Sequence, residues 1–166
     1  VAVRSSSSAE DLEDASFAGQ YDTILNVQQQ GLVQAVKACW QSVFSAHAVS
    51  YAQQQNISLD AFPMGVLVQQ MVEPDVSGVI FSMNPITESK DELIINASYG
   101  LGEAVVSGMV TPDTFIVHKE TKAIERDLGL KEMKIIGTDD GLVEITLTEE
   151  ESDVFCLRDE AVLQLA

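Results

Sequence analysis

The chain has 166 residues, enough for one domain or two small lobes, and its 46% hydrophobic and 21% charged residues argue against a disordered protein. No apolar run approaches the roughly 20 residues of a membrane helix, and the first residues lack the pattern of a signal peptide. The formal net charge of −17 argues against a nucleic-acid-binding protein. We therefore expect a soluble cytoplasmic protein with no nucleic acid and no membrane as partner, in which an anionic ligand would need local cations.

The first 55 residues predict two strands followed by helix. Residues 1–4 and 21–27 have β character, and the polar segment between them predicts a hairpin-like lid. Between residues 31 and 55 the apolar residues recur at steps of three and four, which predicts an amphipathic helix. The apolar residues from Ala46 onward either extend this helix or begin a second one. The stripe of the first helix would contain Leu32, Val33, Val36, Cys39, Trp40, Val43 and Phe44.

Beyond residue 63, strands dominate the sequence. We predict strands at 64–72, 77–83, 92–97 and 114–118, then an antiparallel pair at 131–136 and 142–147 around an Asp-Gly turn, and a helix from residue 159. These elements indicate an α/β (α+β) chain with a mixed, largely antiparallel sheet. We place the lid, the helical region and a hinge strand in a first lobe at residues 1–72, and a second lobe at 73–166.

The segment RSSSSAEDLEDASFAGQ, which begins at Arg4, puts one cation and several hydroxyls before a glycine. Arginine is suited to bidentate contact with phosphate oxygens, and Ser5 and the serines after it would add hydroxyl and N–H donors. The structural alternative, favoured by composition alone, is a solvated loop in which Arg4 pairs with Glu10, Asp11 or Asp14. The P-loop motif does not occur in the sequence.

Two further stretches offer binding groups, each with a plainer structural alternative. The run QQMVEP at residues 69–74 enters a proline turn, where free backbone groups would pair with a purine edge; the alternative is a simple turn. The run SYGLGE ends in Glu103, a candidate for a ribose or metal contact; the alternative is a glycine turn close to a neighbouring strand, with an exposed carboxylate. His47 and His118 lack partners at ligand spacing, and Cys39 and Cys156 predict buried, reduced thiols.

The opening segment VAVRSSSSAEDLEDASFAGQYDTILNV resembles the signature of the nucleotide-binding domain shared by phosphoenolpyruvate synthase, pyruvate phosphate dikinase and rifampin phosphotransferase. Three further stretches match in the same order: VLVQQMVEPDVSGVIFSMNPIT, INASYGLGEAVVSGMVTPDTFIVHK and LRDEAVLQLA. The resemblance covers nearly the whole chain and implies an ATP-grasp fold, in which two lobes clamp ATP. It also implies a phosphotransferase that phosphorylates a histidine on a swivelling domain, for transfer to pyruvate or a rifamycin-type acceptor.

The resemblance also implies roles for particular residues. The arginine of the family's V-R-S-S run contacts the ATP phosphates, which implies a catalytic and ATP-binding role for Arg4, with Ser5 beside it. Thr23 is expected near the phosphates, and Glu103 of the G-L-G-E turn is a further expected contact. The strand and hinge that hold the adenine map to Gln69, Gln70, Met71 and Val72. ATP and Mg²⁺ are the implied cofactors, with the metal ligands expected mainly outside this sequence.

Several parts of the family pattern fall outside this sequence. The family has an ATP-contacting lysine upstream, and metal ligands and a swivelling histidine domain downstream. We therefore expect a piece of a longer polypeptide whose partners are ATP, a lysine-bearing lobe and the phosphohistidine domain, and we expect the isolated chain to be inactive. Ser7, Ser8 and Glu13 depart mildly from the family form. The alternative function is a non-catalytic interaction or regulatory module that keeps the fold.

Overall fold

The structure, a computed structural model, describes residues 1–7, 21–55, 58 and 63–166. The predictions for the serine loop at residues 8–20, including Gly19 and the acidic partners of Arg4, fall outside the described residues. The contacts divide the chain into two compact units. The first unit is Val1–Val72 with Asp139–Gly141, and the second is Glu73–Thr138 with Leu142–Ala166. That these units are the two lobes of an ATP clamp stays a prediction.

The first unit contains a three-stranded antiparallel sheet with β1 in its centre. β1 (Ala2–Ser7) pairs with β2 (Thr23–Ile24) on one side and with β3 (Met64–Gln69) on the other. The predicted antiparallel pairing of residues 1–4 with the strand after the lid is confirmed. The loop predicted from Ser5 onward is wrong for Ser5, Ser6 and Ser7, because β1 pairs with β3 up to Ser7, the last residue of β1. β2 is shorter than predicted, because Asn26 has a left-handed φ of 53° that ends the extended backbone.

The helical region of the first unit consists of a short 3-10 turn, Gln29–Gly31, and two α-helices. α1 spans Leu32–Ser42 and α2 spans Ala46–Gln54. Ser45 separates them as the N-cap of α2, and its hydroxyl oxygen accepts a hydrogen bond from the N–H of Ala48 at 3.2 Å. The alternative in which a second helix begins near Ala46 is therefore confirmed.

α1 packs on the sheet through only part of its predicted apolar stripe. Cys39 is fully buried in a cluster with Val3 and Ala35. With 3.6 residues per turn, Ala35 and Cys39 share the face toward the sheet, whereas Val33 and Trp40 lie on the other side of the helix and Phe44 lies in the turn after it. These three members of the predicted stripe are exposed.

The second unit contains a four-stranded antiparallel sheet whose strands follow chain order. Its strands are β4 (Val76–Phe81), β5 (Glu92–Tyr99), β6 (Asp113–His118) and β7 (Ile124–Asp127). β7 was not predicted, because its residues IERD have no apolar alternation and become a strand only by pairing with β6. One face of the sheet forms the core with a residue of the last helix. The core residues are Leu93, Ile95, Ala97, Phe115, Val117 and Val162.

The remaining elements are a small two-stranded sheet and three helices. β8 (Met133–Thr138) and β9 (Gly141–Thr146) are joined by two residues, which confirms the predicted pair. α3, α4 and α5 span Glu103–Val106, Glu149–Ser152 and Asp159–Leu165. The predicted α+β class with largely antiparallel sheets is confirmed. Within the described residues, no helix combines the length and the apolar character needed to cross a membrane.

Candidate functional site

Arg4 lies in the middle of a row that crosses all three strands of the first unit. Its partner on β2 is Thr23 and its partner on β3 is Leu67. Successive residues of a strand point to opposite faces, so Val3 points to the α1 side, where it is buried, and Arg4 points to the other side. Thr23, Arg4 and Leu67, all exposed, form what we call the solvent-facing row.

The guanidinium of Arg4 has a neutral partner. Its Nη1 donates a hydrogen bond to Oε1 of Gln69, two residues beyond Leu67, at 3.4 Å. Among the described residues, no carboxylate lies within ion-pair distance of Arg4. The sequence of the first unit contains one other cation, Lys37. An amide orients a guanidinium without neutralising it, so within the described part of the chain nothing neutralises the positive charge of Arg4.

Ser5 lies on the opposite face of the sheet from Arg4. Its partner on β3 is Val66, which packs against the buried cluster of α1. Its N–H donates to the carbonyl oxygen of Asp22 at 3.4 Å, so this donor already has a partner. Ser6 is the exposed serine on the face of Arg4. Ser6 was predicted only as one of several serines of the loop, and Leu67 was not predicted at all. The two-residue period of a strand identifies both once β1 is known to continue.

The predicted hinge begins where β3 ends. Gln69 is the last residue of β3, and the three residues after it have no regular structure. Gln70 and Val72 are exposed and Met71 is half-buried. In the part of the chain that the structure describes, no main-chain hydrogen bond joins these three to another residue. The structure thus brings Arg4, Thr23 and Gln69 together and leaves backbone donors and acceptors open directly after them.

The glycine turn of the second unit has a structural explanation. Gly100 has a φ of +74°, and a Cβ there would lie 2.4 Å from the carbonyl oxygen of Ile135. Leu101 then donates its N–H to the same oxygen at 2.8 Å. The alternative of a close approach to a neighbouring strand is confirmed. Glu103 follows as an exposed carboxylate in the first turn of α3, in a different unit from Arg4.

A buried ion pair in the second unit was not predicted. Nζ of Lys131 lies 2.5 Å from Oδ1 of Asp113, and both side chains are fully buried. The same carboxylate accepts the N–H of Gly129 at 2.9 Å and the N–H of Cys156 at 2.7 Å. The pair therefore ties the start of β6 to two loops that are distant in sequence. The charge of Lys131 is therefore neutralised inside the fold and cannot bind a ligand.

The cysteines and histidines do not form a reactive centre in the described residues. Cys39 is buried as predicted, whereas Cys156 is only half-buried, and both thiols are free. Burial first, and the neighbouring Asp113 second, raise the pKa of Cys156 far above its usual range, which disfavours the reactive thiolate. His118 lies 3.1 Å from Glu125, and His47 is exposed. Within the described ranges, no three His, Cys, Asp or Glu side chains are placed to hold a metal ion, so no Mg²⁺ site is assigned to them.

Comparison with known proteins gives consistent matches over the whole chain. The family profile described as the pyruvate phosphate dikinase AMP/ATP-binding domain matches residues 1–166. An uncharacterized phosphotransferase of Bacillus subtilis, YvkC, is 50% identical over all of this chain and 20% of its own length. A probable phosphoenolpyruvate synthase of Methanocaldococcus jannaschii is 42% identical over 100% of the chain and 14% of its own length. A rifampicin phosphotransferase of Bacillus cereus is 42% identical over 99% of this chain and 19% of its own length. The chain thus spans about a fifth or less of these relatives.

Proposed function

Because the chain belongs to the pyruvate phosphate dikinase AMP/ATP-binding domain family, we propose that it is the part of an ATP-dependent phosphotransferase that holds the phosphates and the adenine. The family resemblance seen in the sequence is confirmed by this membership. In the proposed function, Arg4 binds the phosphates, Thr23 lies beside them, and the hinge after β3 receives the base. Phosphoryl transfer depends mainly on positioning and on charge neutralisation, which an arginine and backbone donors supply.

The observation that carries this proposal is the exposed charge of Arg4, which has no carboxylate partner among the described residues. Its Gln69 partner is neutral, and the hydroxyl of Thr23 lies on the adjacent strand in the same row. In a chain of net charge −17, a cation without a carboxylate partner among the described residues is the place where an anionic ligand would be attracted. Ser6 would add a hydroxyl on the same face. Nucleotide contacts by Ser5 and Glu103 stay predictions. Ser5 would contribute backbone groups only, because its side chain lies on the opposite face of the sheet from Arg4.

The hinge is proposed to hold the adenine through main-chain groups. The N–H and C=O groups of Gln70, Met71 and Val72 have no partner among the described residues and follow directly on the strand that carries Gln69. A purine edge has both donors and acceptors and would pair with such a segment. The side chains of Met71 and Val72, the latter 75% exposed, would pack on the ring face.

The activity of the whole protein is proposed from the relatives. We expect ATP to phosphorylate a histidine on a swivelling domain, with pyruvate or a rifamycin-type compound as final acceptor. A lysine-bearing lobe and the phosphohistidine domain would then be the partners of this chain. Mg²⁺ would arrive with the nucleotide and take its protein ligands from elsewhere. A cytoplasmic location and the alternative of a non-catalytic module are also predictions.

Calorimetric titration of Mg-ATP into a full-length phosphotransferase that carries this sequence tests the proposal. Charged hydrogen bonds contribute about 1.5–3 kcal/mol, so Arg4→Gln should weaken binding roughly 10- to 100-fold. Lys37→Gln is the matched control, because it removes the other cation of the first unit from the exposed side of α1. Equal affinity of the wild type and Arg4→Gln would refute the phosphate role of Arg4 and favour the non-catalytic module.

A further inference from the structure

The second unit contains a cavity that the proposed nucleotide site does not use. Its volume is about 390 Å³, within the range of small-molecule pockets. Every lining residue belongs to the second unit, and together they come from the end of β5, from β8, and from the segment that includes α4. The lining residues are Tyr99, Lys134, Leu147, Thr148, Glu150, Glu151 and Val154.

Hydrogen bonds fix the walls of this cavity. The N–H of Leu147 donates to the carbonyl oxygen of Glu132 at 2.9 Å, which anchors one wall. Thr148 and Glu151 form a capping box: the carboxylate of Glu151 accepts the N–H of Thr148 at 2.9 Å and its hydroxyl at 3.0 Å. The cavity is thus formed before any ligand arrives.

Three polar groups of the lining have no hydrogen-bond or ion-pair partner among the described residues, although the charge of Lys134 is close enough to help lower the pKa of Glu151. Within the described residues, neither the ammonium of Lys134 nor the carboxylate of Glu150 nor the hydroxyl of Tyr99 makes a hydrogen bond or an ion pair. Burial is the first cause that raises the pKa of Tyr99, so its hydroxyl keeps its proton and can donate. The cavity therefore offers a cation, a neutral donor and an anion, beside the apolar side chains of Leu147 and Val154.

This combination selects a ligand by its charge pattern. A simple anion would be repelled by Glu150 and Glu151, and a simple cation would be repelled by Lys134. A zwitterion satisfies both signs: its carboxylate would accept from Lys134 and Tyr99, and its ammonium would face Glu150. We propose that this cavity is a binding site for an apolar α-amino acid, whose side chain packs on Leu147 and Val154.

Titration calorimetry of a full-length phosphotransferase that carries this sequence, with L-leucine and L-valine each up to about 10 mM, tests this site. N-acetyl-L-leucine lacks the ammonium and L-leucinamide lacks the carboxylate, so the proposal expects both to bind at least tenfold more weakly than L-leucine. Lys134→Met should weaken L-leucine binding at least tenfold, and Glu150→Gln should weaken it severalfold. Neither side chain makes a hydrogen bond or an ion pair among the described residues, and circular dichroism would verify that both variants are folded.

Lys90→Met is the matched control, because Lys90 is an exposed lysine of the same unit outside the cavity. Arg4→Gln should also leave amino-acid binding unchanged, since the site does not depend on the nucleotide. The proposal is overturned if neither amino acid binds. It is equally overturned if L-leucinamide or N-acetyl-L-leucine binds as well as L-leucine, or if Lys134→Met and Lys90→Met have equal effects.

Discussion

Arg4 and Lys131 are both cations on an acidic chain, but their surroundings differ in every respect. Lys131 is fully buried, 2.5 Å from the carboxylate of Asp113. Arg4 is exposed and donates to a neutral amide at 3.4 Å. A buried charge is tolerated only when it is paired, whereas an exposed charge can stay unpaired at little cost. The partner of a cation, more than its presence, therefore separates a structural charge from one that can bind a ligand.

The surroundings of Asp113 show how complete the pairing of Lys131 is. The carboxylate accepts from Lys131 and from two backbone N–H groups, those of Gly129 and Cys156. Removing the carboxylate would take this acceptor from both N–H groups and would leave Nζ of Lys131 only the carbonyl oxygen of Gly129, 3.4 Å away. The solvent-facing row around Arg4 has no comparable network among the described residues. Mutations in the two places should therefore affect different properties of the protein.

The largest expected effect on stability is that of Lys131→Met. It leaves the carboxylate of Asp113 buried without its counter-charge, which should lower the free energy of unfolding by about 3–5 kcal/mol. Urea unfolding followed by circular dichroism measures this loss. The double variant Lys131→Met/Asp113→Asn removes both charges and keeps an acceptor oxygen, so it should recover most of the stability. A loss below about 1 kcal/mol for Lys131→Met would contradict the structural role of the pair.

Gly100→Ala should have the next largest effect, because the new methyl group meets the carbonyl of Ile135. A left-handed φ alone costs a non-glycine residue about 1–2 kcal/mol, and the contact should add to this. Gly108 is the matched control, since its φ is +71° but a Cβ there would meet nothing within 4 Å. Thermal unfolding should therefore show a larger loss for Gly100→Ala than for Gly108→Ala. Equal losses of stability for the two variants would show that the backbone at Gly100 does not lie close to Ile135 of β8.

The capping box of α4 should contribute less. Thr148→Ala removes the cap and should cost about 1 kcal/mol.

Hydrogen bonds from Thr148 lower the pKa of Glu151 from its ordinary 4.5. A lowered pKa stabilises the fold above the unfolded-state value, and this contribution is lost as the pH falls through the folded-state value. The stability difference between wild type and Glu151→Gln, measured by urea unfolding, should accordingly be present at neutral pH and vanish in acid; a pH-independent difference would exclude the carboxylate as its source.

The smallest expected effect on stability is that of Arg4→Gln. The side chain is exposed and its hydrogen bond to Gln69 is long, so the free energy of unfolding should change by less than about 0.5 kcal/mol. Urea unfolding beside Lys131→Met gives the direct comparison. A loss as large as that of Lys131→Met would mean that Arg4, too, is structural.

The sequence predicted the elements built from local patterns and missed those that depend on pairing. Periodicity predicts the helical region of α1 and α2, and an Asp-Gly turn predicts the β8–β9 hairpin. Motifs predict the family. The Lys131–Asp113 pair does not, because the two residues are 18 positions apart and each resembles an ordinary surface charge. The position of Arg4 in a row with Thr23 and Leu67 depends on strand register, which sequence alone does not give.

A comparison of ATP and adenosine binding by wild type and Arg4→Gln, in a full-length phosphotransferase carrying this sequence, tests the central claim most directly. If the charge of Arg4 serves the phosphates, the substitution should weaken ATP binding roughly 10- to 100-fold and leave adenosine binding unchanged. Equal weakening of both ligands, or no weakening of ATP binding, would contradict the claim that Arg4 is the phosphate-binding cation of the first unit.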